Sequence, residues 1–569
     1  LKLWPAHCHV WIGDIYSSGK PEHRTHFRPI ADWYQIGPVM GNFTCGSSFK
    51  PGSYQRSNAN CNGTRFMVVE SDTLAKDEVG AIFAYLNLRL HFNLHAIIDT
   101  AGKSLHGWLD APRDKRIEAQ HAKGKMTARE RLALLCDEAS FQELGALATS
   151  GAAALGGAER YPGDGIITGF GKVNGRRVAV YAQDFTVLGG SFSQVQSNKI
   201  SRIQDLALAS GIPLIGLNDS GGARVQEGVR SLAAYGEVFV RNVRASGVIP
   251  QLSLIMGPCA GGAVYSPALT DFTIMVDGTS NMFLTGPDII RTVTGEQVTA
   301  DELGGAWVHN TRSGVAQFLA ADEHAALRLV KTLLGYLPQN NTEDAPAIVP
   351  LDSPDRMDDA LNAVVPADDA AAYDMREVLE RVFDADSLLE VHQHYAGNAI
   401  VAFARLDGQA VGVVANQPTV MAGCLDTDAS DKIARHITVC DQFNLPVVTF
   451  VDCPGYLPGV EQEHGGVIRH GAKVIYAYCQ ATVPQISVVT RKAIGGSYVA
   501  LSSKQMNNDV AFAWPTAQIA VMGAEGAARL LNRRAIADAA DPKAEEARFV
   551  AEYKEAFYNP YEAADVGQI

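Results

Sequence analysis

The sequence contains no CxxC pair, no regular cysteine spacing and no excess of basic residues. Its nine cysteines stand at 8, 45, 61, 136, 259, 424, 440, 453 and 479. An odd count scattered over a long chain excludes a disulfide framework and reads as reduced, mostly buried thiols in a cytoplasm. Charged residues are only 19% of the chain, and 62 acidic against 48 basic side chains leave a net charge of −14. That balance argues against a general nucleic-acid-binding surface. It leaves room for a small anion held locally by backbone N–H groups. There is no N-terminal signal pattern. Between Ala245 and Thr270 charge is absent altogether, a gap long enough to cross a bilayer. Pro250, Pro258, Pro267 and a Gly-Gly pair interrupt it, so a strand, a turn and a buried helix are expected there instead.

Two glycine turns stand out from this background. Ile255-Met-Gly-Pro-Cys-Ala-Gly-Gly-Ala263 and Val489-Thr-Arg-Lys-Ala-Ile-Gly-Gly-Ser497 lie at an offset of 234. Each follows an apolar run entered by Pro-Gln (Pro250-Gln251 and Pro484-Gln485) and leads into a small-residue, helix-like stretch. A strand that turns through Gly-Gly into a helix exposes backbone donors at the helix start and favours an anion there. The likeness extends further: Gly175–Val178 matches Gly408–Val411, Lys199-Ile200 matches Lys432-Ile433, Asp219 matches Asp452, and Gly286 matches Gly523. So long a constant offset indicates two copies of a whole domain rather than a solenoid. We place them at 113–345 and 350–569, joined by the polar, Pro-containing stretch Pro338–Pro346.

Within each copy short apolar runs alternate with helical stretches. Strands are expected at Ile212–Leu217, Leu252–Met256, Phe272–Val276, Asn281–Leu284, Val447–Val451 and Gln485–Thr490, with helices at Glu227–Ser246 and Val467–Gln480. In the first helix Val229, Leu232, Ala233, Val238, Phe239 and Val243 give an uneven apolar stripe. The order strand, helix, strand, glycine turn, helix predicts α/β architecture with functional loops at strand ends. Lys123–Leu135 predicts a lead-in helix, with Thr127 as N-cap and Glu130 as its capping-box partner.

From about 113 onward the chain resembles the carboxyltransferase subunits of biotin-dependent acyl-CoA carboxylases. The likeness is to propionyl-CoA carboxylase beta chains, the transcarboxylase large subunit and the carboxyltransferase chain of methylmalonyl-CoA decarboxylase. The residues that carry it are Ala119-Gln-His-Ala-Lys-Gly-Lys-Met-Thr-Ala-Arg-Glu-Arg131, Gln183–Ser191, Asn218-Asp-Ser-Gly-Gly-Ala-Arg-Val-Gln-Glu-Gly228, Ile255–Phe272, Gly423-Cys-Leu-Asp426 and Arg469-His-Gly-Ala-Lys473. The resemblance implies tandem crotonase-like domains in a hexamer of two stacked trimers. Each active site would lie between the first domain of one chain and the second of another. It implies that Gly261 and Gly262, flanked by Ala260 and Ala263, hold a thioester oxygen. Gly496 and Ser497, beside Gly495 and Val499, would hold the ureido oxygen of biotin. The thioester of coenzyme A is then the substrate, and no side chain need be the base. Val499 and Ile494 depart from the Asp and Tyr that propionyl-CoA carboxylases commonly carry there, which leaves the acyl group open. No Met-Lys-Met biotinylation site and no ATP-binding domain occur in the sequence. Biotin therefore belongs to a biotin carboxyl carrier protein. The remaining partners are a biotin carboxylase subunit or membrane decarboxylase subunits.

Residues 1–112 do not share this likeness. Arg65–Asp72 reads as a strand ending with Glu70 and Asp72 on one face, and Ala96–Thr100 as another, followed by Ser104 and His106. The pattern is similar to the core of archaeo-eukaryotic-type primases, which implies a metal held by Glu70 and Asp72 if that fragment acts. An alternative function, a primase-like nucleic-acid enzyme with the remainder as scaffold, follows from it. The acidic balance and the lack of a third carboxylate before Asp114 count against that alternative. His7, Cys8 and His9 form a further metal-ligating grouping, read as incidental. The chain begins at Leu1 and ends at Ile569, where the family continues. We therefore expect a truncated second copy and an N-terminal α+β fragment of foreign origin, by fusion or misassembly.

Overall fold

The computed structural model describes residues 116–150 and 161–569 in full, and before them the backbone of Lys115 and of eight strands between His9 and Asp110. Two compact units result, one of residues 1–119 and 149–162, the other of 120–148 and 163–569. In the first unit Phe66–Val69, Leu105–Asp110 and Leu94–Asp99 form an antiparallel sheet in that order. Two of these strands fall where the sequence placed them. Glu70, Asp72, Ser104, His7 and Cys8 lie outside the described residues, as do the side chains of His9 and His106.

The second unit holds two sheets of parallel design. In the first, Leu214–Ser220, Gln251–Ala260 and Phe272–Val276 run parallel, while Ile166–Val173 and Arg176–Gln183 make an antiparallel hairpin at one side. The second sheet repeats the plan with Ala399–Leu406, Gln409–Asn416, Val447–Cys453, Gln485–Ile494 and Val510–Ala513. Register breaks at the same place in both, between Asn218 and Ser220 and between Val451 and Cys453. Gln251–Ala260 shows why these strands read as unbroken apolar runs: both faces are covered. Ile255 and Cys259 pack under the helices Gln194–Ser210 and Val229–Ala245 with Ile200, Ile203, Ala234 and Val238. Leu252, Leu254 and Met256 face a core shared with Phe403, Ile433 and Ile437 of the second sheet's layer. Phe272 and Phe403 meet there at 5.8 Å between ring centroids.

The lead-in helix runs Ala128–Leu135 and carries the expected capping box, Thr127 with Glu130. The uncharged segment becomes a strand, a turn and the short helix Tyr265–Ala268. Among the described residues no helix is long and apolar enough to cross a membrane. The helix expected at Glu227–Ser246 is present as Val229–Ala245, but its apolar stripe needs correction. Val229, Leu232 and Val243 are exposed, and the buried face is Ser231, Ala234, Tyr235, Val238, Asn242 and Ala245. Asn242 is taken inward by a hydrogen bond from its side chain to Gln251 at 3.0 Å, which rotates the buried face away from the most hydrophobic residues.

Candidate active site

Both glycine turns end a central strand and open a helical turn. The first strand ends at Ala260 and the residues Gly261–Val264 begin the turn. The second ends at Ile494, and Gly496–Ala500 is helical. The first glycine of each pair has positive φ, +62° at Gly261 and +69° at Gly495, a region that L side chains avoid. The N–H groups that follow, of Gly262 and Ala263 and of Gly496 and Ser497, belong to a first helical turn and have no intrahelical acceptor. Ser497 is fully buried, its hydroxyl donating to the carbonyl of Ile494 at 2.9 Å. In the second copy the N–H of Gly495 is already used, donating to Ala520 at 2.9 Å.

A loop from the neighbouring strand backs the first turn. A Cβ on Gly222, whose φ is +97°, would lie 2.9 Å from the carbonyl oxygen of Ala260. The loop is fixed from both sides. Gly221 N–H donates to Gly189 at 2.9 Å and Phe192 N–H to Gly222 at 2.7 Å. Arg224, 1% exposed, donates through Nη1 to both carboxylate oxygens of the buried Asp164 at 2.9 Å. The sequence singled out 218–228 as a motif; the partner that holds it, Asp164, was missed.

Beneath each turn a fully buried aspartate stands one residue before the end of the adjoining strand, and the two are charge-matched differently. Asp219 takes Lys125 Nζ at 2.8 Å and Arg131 Nη1 at 2.9 Å. Arg131 also pairs with Glu323 at 2.5 Å and donates to Met256 O, just before the turn, at 3.2 Å. Burial lowers the Lys125 pKa against the pull of Asp219. For Arg131 burial acts downward too, but hydrogen bonding to Glu323 and the two carboxylate charges outweigh it and raise the pKa. Asp452 is served from its own sheet, by Arg491 Nε at 3.0 Å and the N–H of Lys492 at 3.1 Å. Arg491 lies over Tyr373, 5.0 Å from the ring centroid.

The second turn opens on a cavity of about 450 Å³ lined by Gly495, Gly496, Tyr498, Val499, Val521, Tyr553 and Phe557. A Cβ on Gly496 would have nothing within 4 Å, and Val499 is 46% exposed. The predicted site residues thus fall into two local groups, 260–263 and 495–499. Among the described residues no hydrogen bond or ring contact joins them. None of the described residues form a cluster of three or more His, Cys, Asp or Glu that could hold a metal.

A duplicated strand–turn–helix layout, with paired backbone donors at the end of each central strand, defines a tandem crotonase-like enzyme. The chain belongs to the carboxyl transferase domain family, whose model matches residues 119–569. It is 55% identical over 455 residues to the carboxyltransferase subunit of propionyl-CoA carboxylase from Haloferax mediterranei, covering 80% of this chain and 88% of that one. It is 53% identical to the alpha subunit of methylmalonyl-CoA decarboxylase from Veillonella parvula, with the same coverage. Among solved structures it is similar to a transcarboxylase 12S hexamer with methylmalonyl-CoA and methylmalonic acid bound, at a TM-score of 0.78 and 51% identity over 80% of this chain and 88% of that one. The residues before 119 lie outside the family match, and none of these likenesses supports a primase-like reading of them.

Proposed function

We propose that the chain transfers a carboxyl group between carboxybiotin on a partner protein and the α carbon of a short-chain acyl-CoA, the propionyl-CoA/methylmalonyl-CoA pair. The observation that carries this reading is the pairing itself: two backbone donor turns at matched positions, for a reaction that places negative charge on two oxygens in turn. Gly261 and Gly262 hold the thioester oxygen; Gly496 and Ser497 hold the ureido oxygen. Biotin, brought by its carrier, supplies the carboxyl group in labile form. The chain's own contribution is a set of fixed backbone donors, each worth about 3–4 kcal/mol of barrier. The open space at Gly496 and the apolar walls of the adjoining cavity suit a flat ring approaching the backbone.

Ala260 and Ala263 flank the thioester subsite, and Gly495 and Val499 the biotin subsite. In this reading the copies at 113–345 and 350–569 are the two carboxyltransferase domains. The assembly is a homo-hexamer in the cytoplasm, partnered by a biotin carboxyl carrier and either a biotin carboxylase or membrane decarboxylase subunits. Incubation with a carboxylated biotin carrier domain and propionyl-CoA tests the reading. Methylmalonyl-CoA is the expected product, formed faster than malonyl-CoA from acetyl-CoA. No carboxylated product from either thioester would sink it.

A further inference from the structure

Tyr235 is the residue of the first copy that the strand and turn motifs do not account for. It sits on the helix Val229–Ala245 and is 3% exposed. A Cβ built on Gly262 would lie 3.0 and 3.1 Å from its Cδ2 and Cε2, so the ring abuts the backbone of the turn itself. The same ring stacks on Phe192 at 4.0 Å between centroids and 12° between planes. Phe192 is not free to retreat. Its N–H donates to Gly222 and its carbonyl accepts from Arg224, and Arg224 is locked to Asp164. The ring is therefore held between a fixed aromatic and the turn.

The hydroxyl of Tyr235 does not explain the residue. It is buried with no hydrogen-bond partner, and burial raises its pKa, so it stays neutral. A buried hydroxyl without a partner is unfavourable, which leaves the ring as the part under constraint. Nothing comparable stands at Gly496.

We infer that Tyr235 is a positioning residue for the first turn: its ring, clamped by Phe192, props the Cα of Gly262 and so aims the Gly262 N–H at the thioester oxygen. The inference rests on the carboxyl-transfer reading above. A donor aimed at charge that develops during the reaction acts on turnover more than on binding, and a small misplacement is felt strongly.

The test compares the full-length wild type with Tyr235→Leu, Tyr235→Phe and Phe192→Leu in carboxyl transfer to propionyl-CoA, with oligomeric state and melting followed alongside. Tyr235→Leu is expected to lower kcat by about tenfold to a hundredfold while the KM for propionyl-CoA stays within about twofold. Tyr235→Phe recovers that loss and melts no lower than wild type. Wild-type kcat in folded Tyr235→Leu overturns the inference, as does a Tyr235→Phe variant as slow as Tyr235→Leu. If Tyr235→Leu does not fold, Phe192→Leu decides: a fall in kcat at unchanged KM supports the clamp, and an unchanged kcat removes it. An inactive wild type strikes the carboxyl-transfer reading and takes the inference with it. An active wild type with an indifferent Tyr235→Leu strikes the inference alone.

Discussion

The two copies share a strand plan but differ in what stands behind their turns. In the first, Gly262 rests on Tyr235; in the second, Gly496 faces open space. The loop residue bridged to Phe192 in one copy is Ala223, and the one bridged to Leu425 in the other is Tyr456. Tyr456 packs its hydroxyl 2.9 Å from the Cβ position of Gly471, on the helix Val467–Gln480. One copy thus places the large ring on the helix and the small residue on the loop, and the other does the reverse. Charge is exchanged in the same way. Gly257 is bare because a Cβ there would fall 2.1 Å from Asp219 and 2.2 Å from Lys125, whereas the matched position carries Arg491 itself. Duplication kept the buried aspartate and the backbone donors, and allowed the supporting side chains to come from different elements.

The strongest test of that contrast is a pair of glycine substitutions. Gly262→Val and Gly496→Val are both expected to reduce carboxyl transfer by more than about a hundredfold: the second puts a side chain into the cavity before its donors, and the first pushes its turn off the Tyr235 ring and so displaces the donors. Their stabilities should separate. Gly262→Val meets the Tyr235 ring and costs about 1–3 kcal/mol by overpacking; Gly496→Val enters open space and stays within about 0.5 kcal/mol of wild type. Initial rates and urea midpoints read the two effects. Equal destabilisation would end the argument that the turns are supported differently.

The buried charges separate next. Arg131→Met leaves Glu323 with the Met126 N–H alone and removes one of the two cations on Asp219, both carboxylates being 3% exposed or less. A loss of about 3–5 kcal/mol is expected, the usual cost of leaving a buried charge without its partner. Arg491→Met deprives one carboxylate only, and the Lys492 N–H still reaches Asp452, so its loss should be smaller. Denaturation midpoints of the two variants, measured together, give the order; a reversed order would mean that Lys125 compensates Asp219 more fully than the geometry indicates.

Much of this contrast could not be read from the chain. The strands, the offset and both glycine turns were legible because they depend on local apolar runs and on backbone conformation. Lys199 and Lys432 were legible as a matched pair, but not in their role. Lys432 donates to the carbonyls of His392, Tyr395, Ala396 and Ala399, and Lys199 to those of Gly163 and Ile166. Burial brings their pKa values down to about 7 and about 8. Each holds the loop before a hairpin strand, which no local pattern announces. Tyr235 was passed over because the more hydrophobic Val229, Leu232 and Val243 carried the periodicity, yet those side chains are exposed. Asp219 and Arg131 lie 88 residues apart, and nothing in either segment names the other.

The smallest effect concerns where the copies touch. Asp271 and Asp509 are counterparts: each accepts from the N–H of the glutamine that opens the central strand, Gln251 and Gln485, at 2.8 Å. Asp271 is 2% exposed and lies 3.8 Å from Arg435 of the second copy; Asp509 is exposed. Burial pushes the Asp271 pKa from 3.8 up to about 6, with Arg435 and the Gln251 N–H pulling the other way. A group whose folded pKa lies above its unfolded value holds a proton more tightly in the native state. Its stabilisation is therefore complete below about pH 4 and is lost as pH rises through about 6, a swing of about 2–3 kcal/mol. Asp271→Asn keeps an acceptor for the Gln251 N–H and cannot titrate. The stability of wild type minus that of Asp271→Asn should fall between pH 4 and 6 and level off above, in urea melts at matched ionic strength, with Asp509→Asn as control. A difference that rises over that window would mean that Arg435, not burial, governs Asp271. The contact between the copies would then be an ion pair rather than a buried acid.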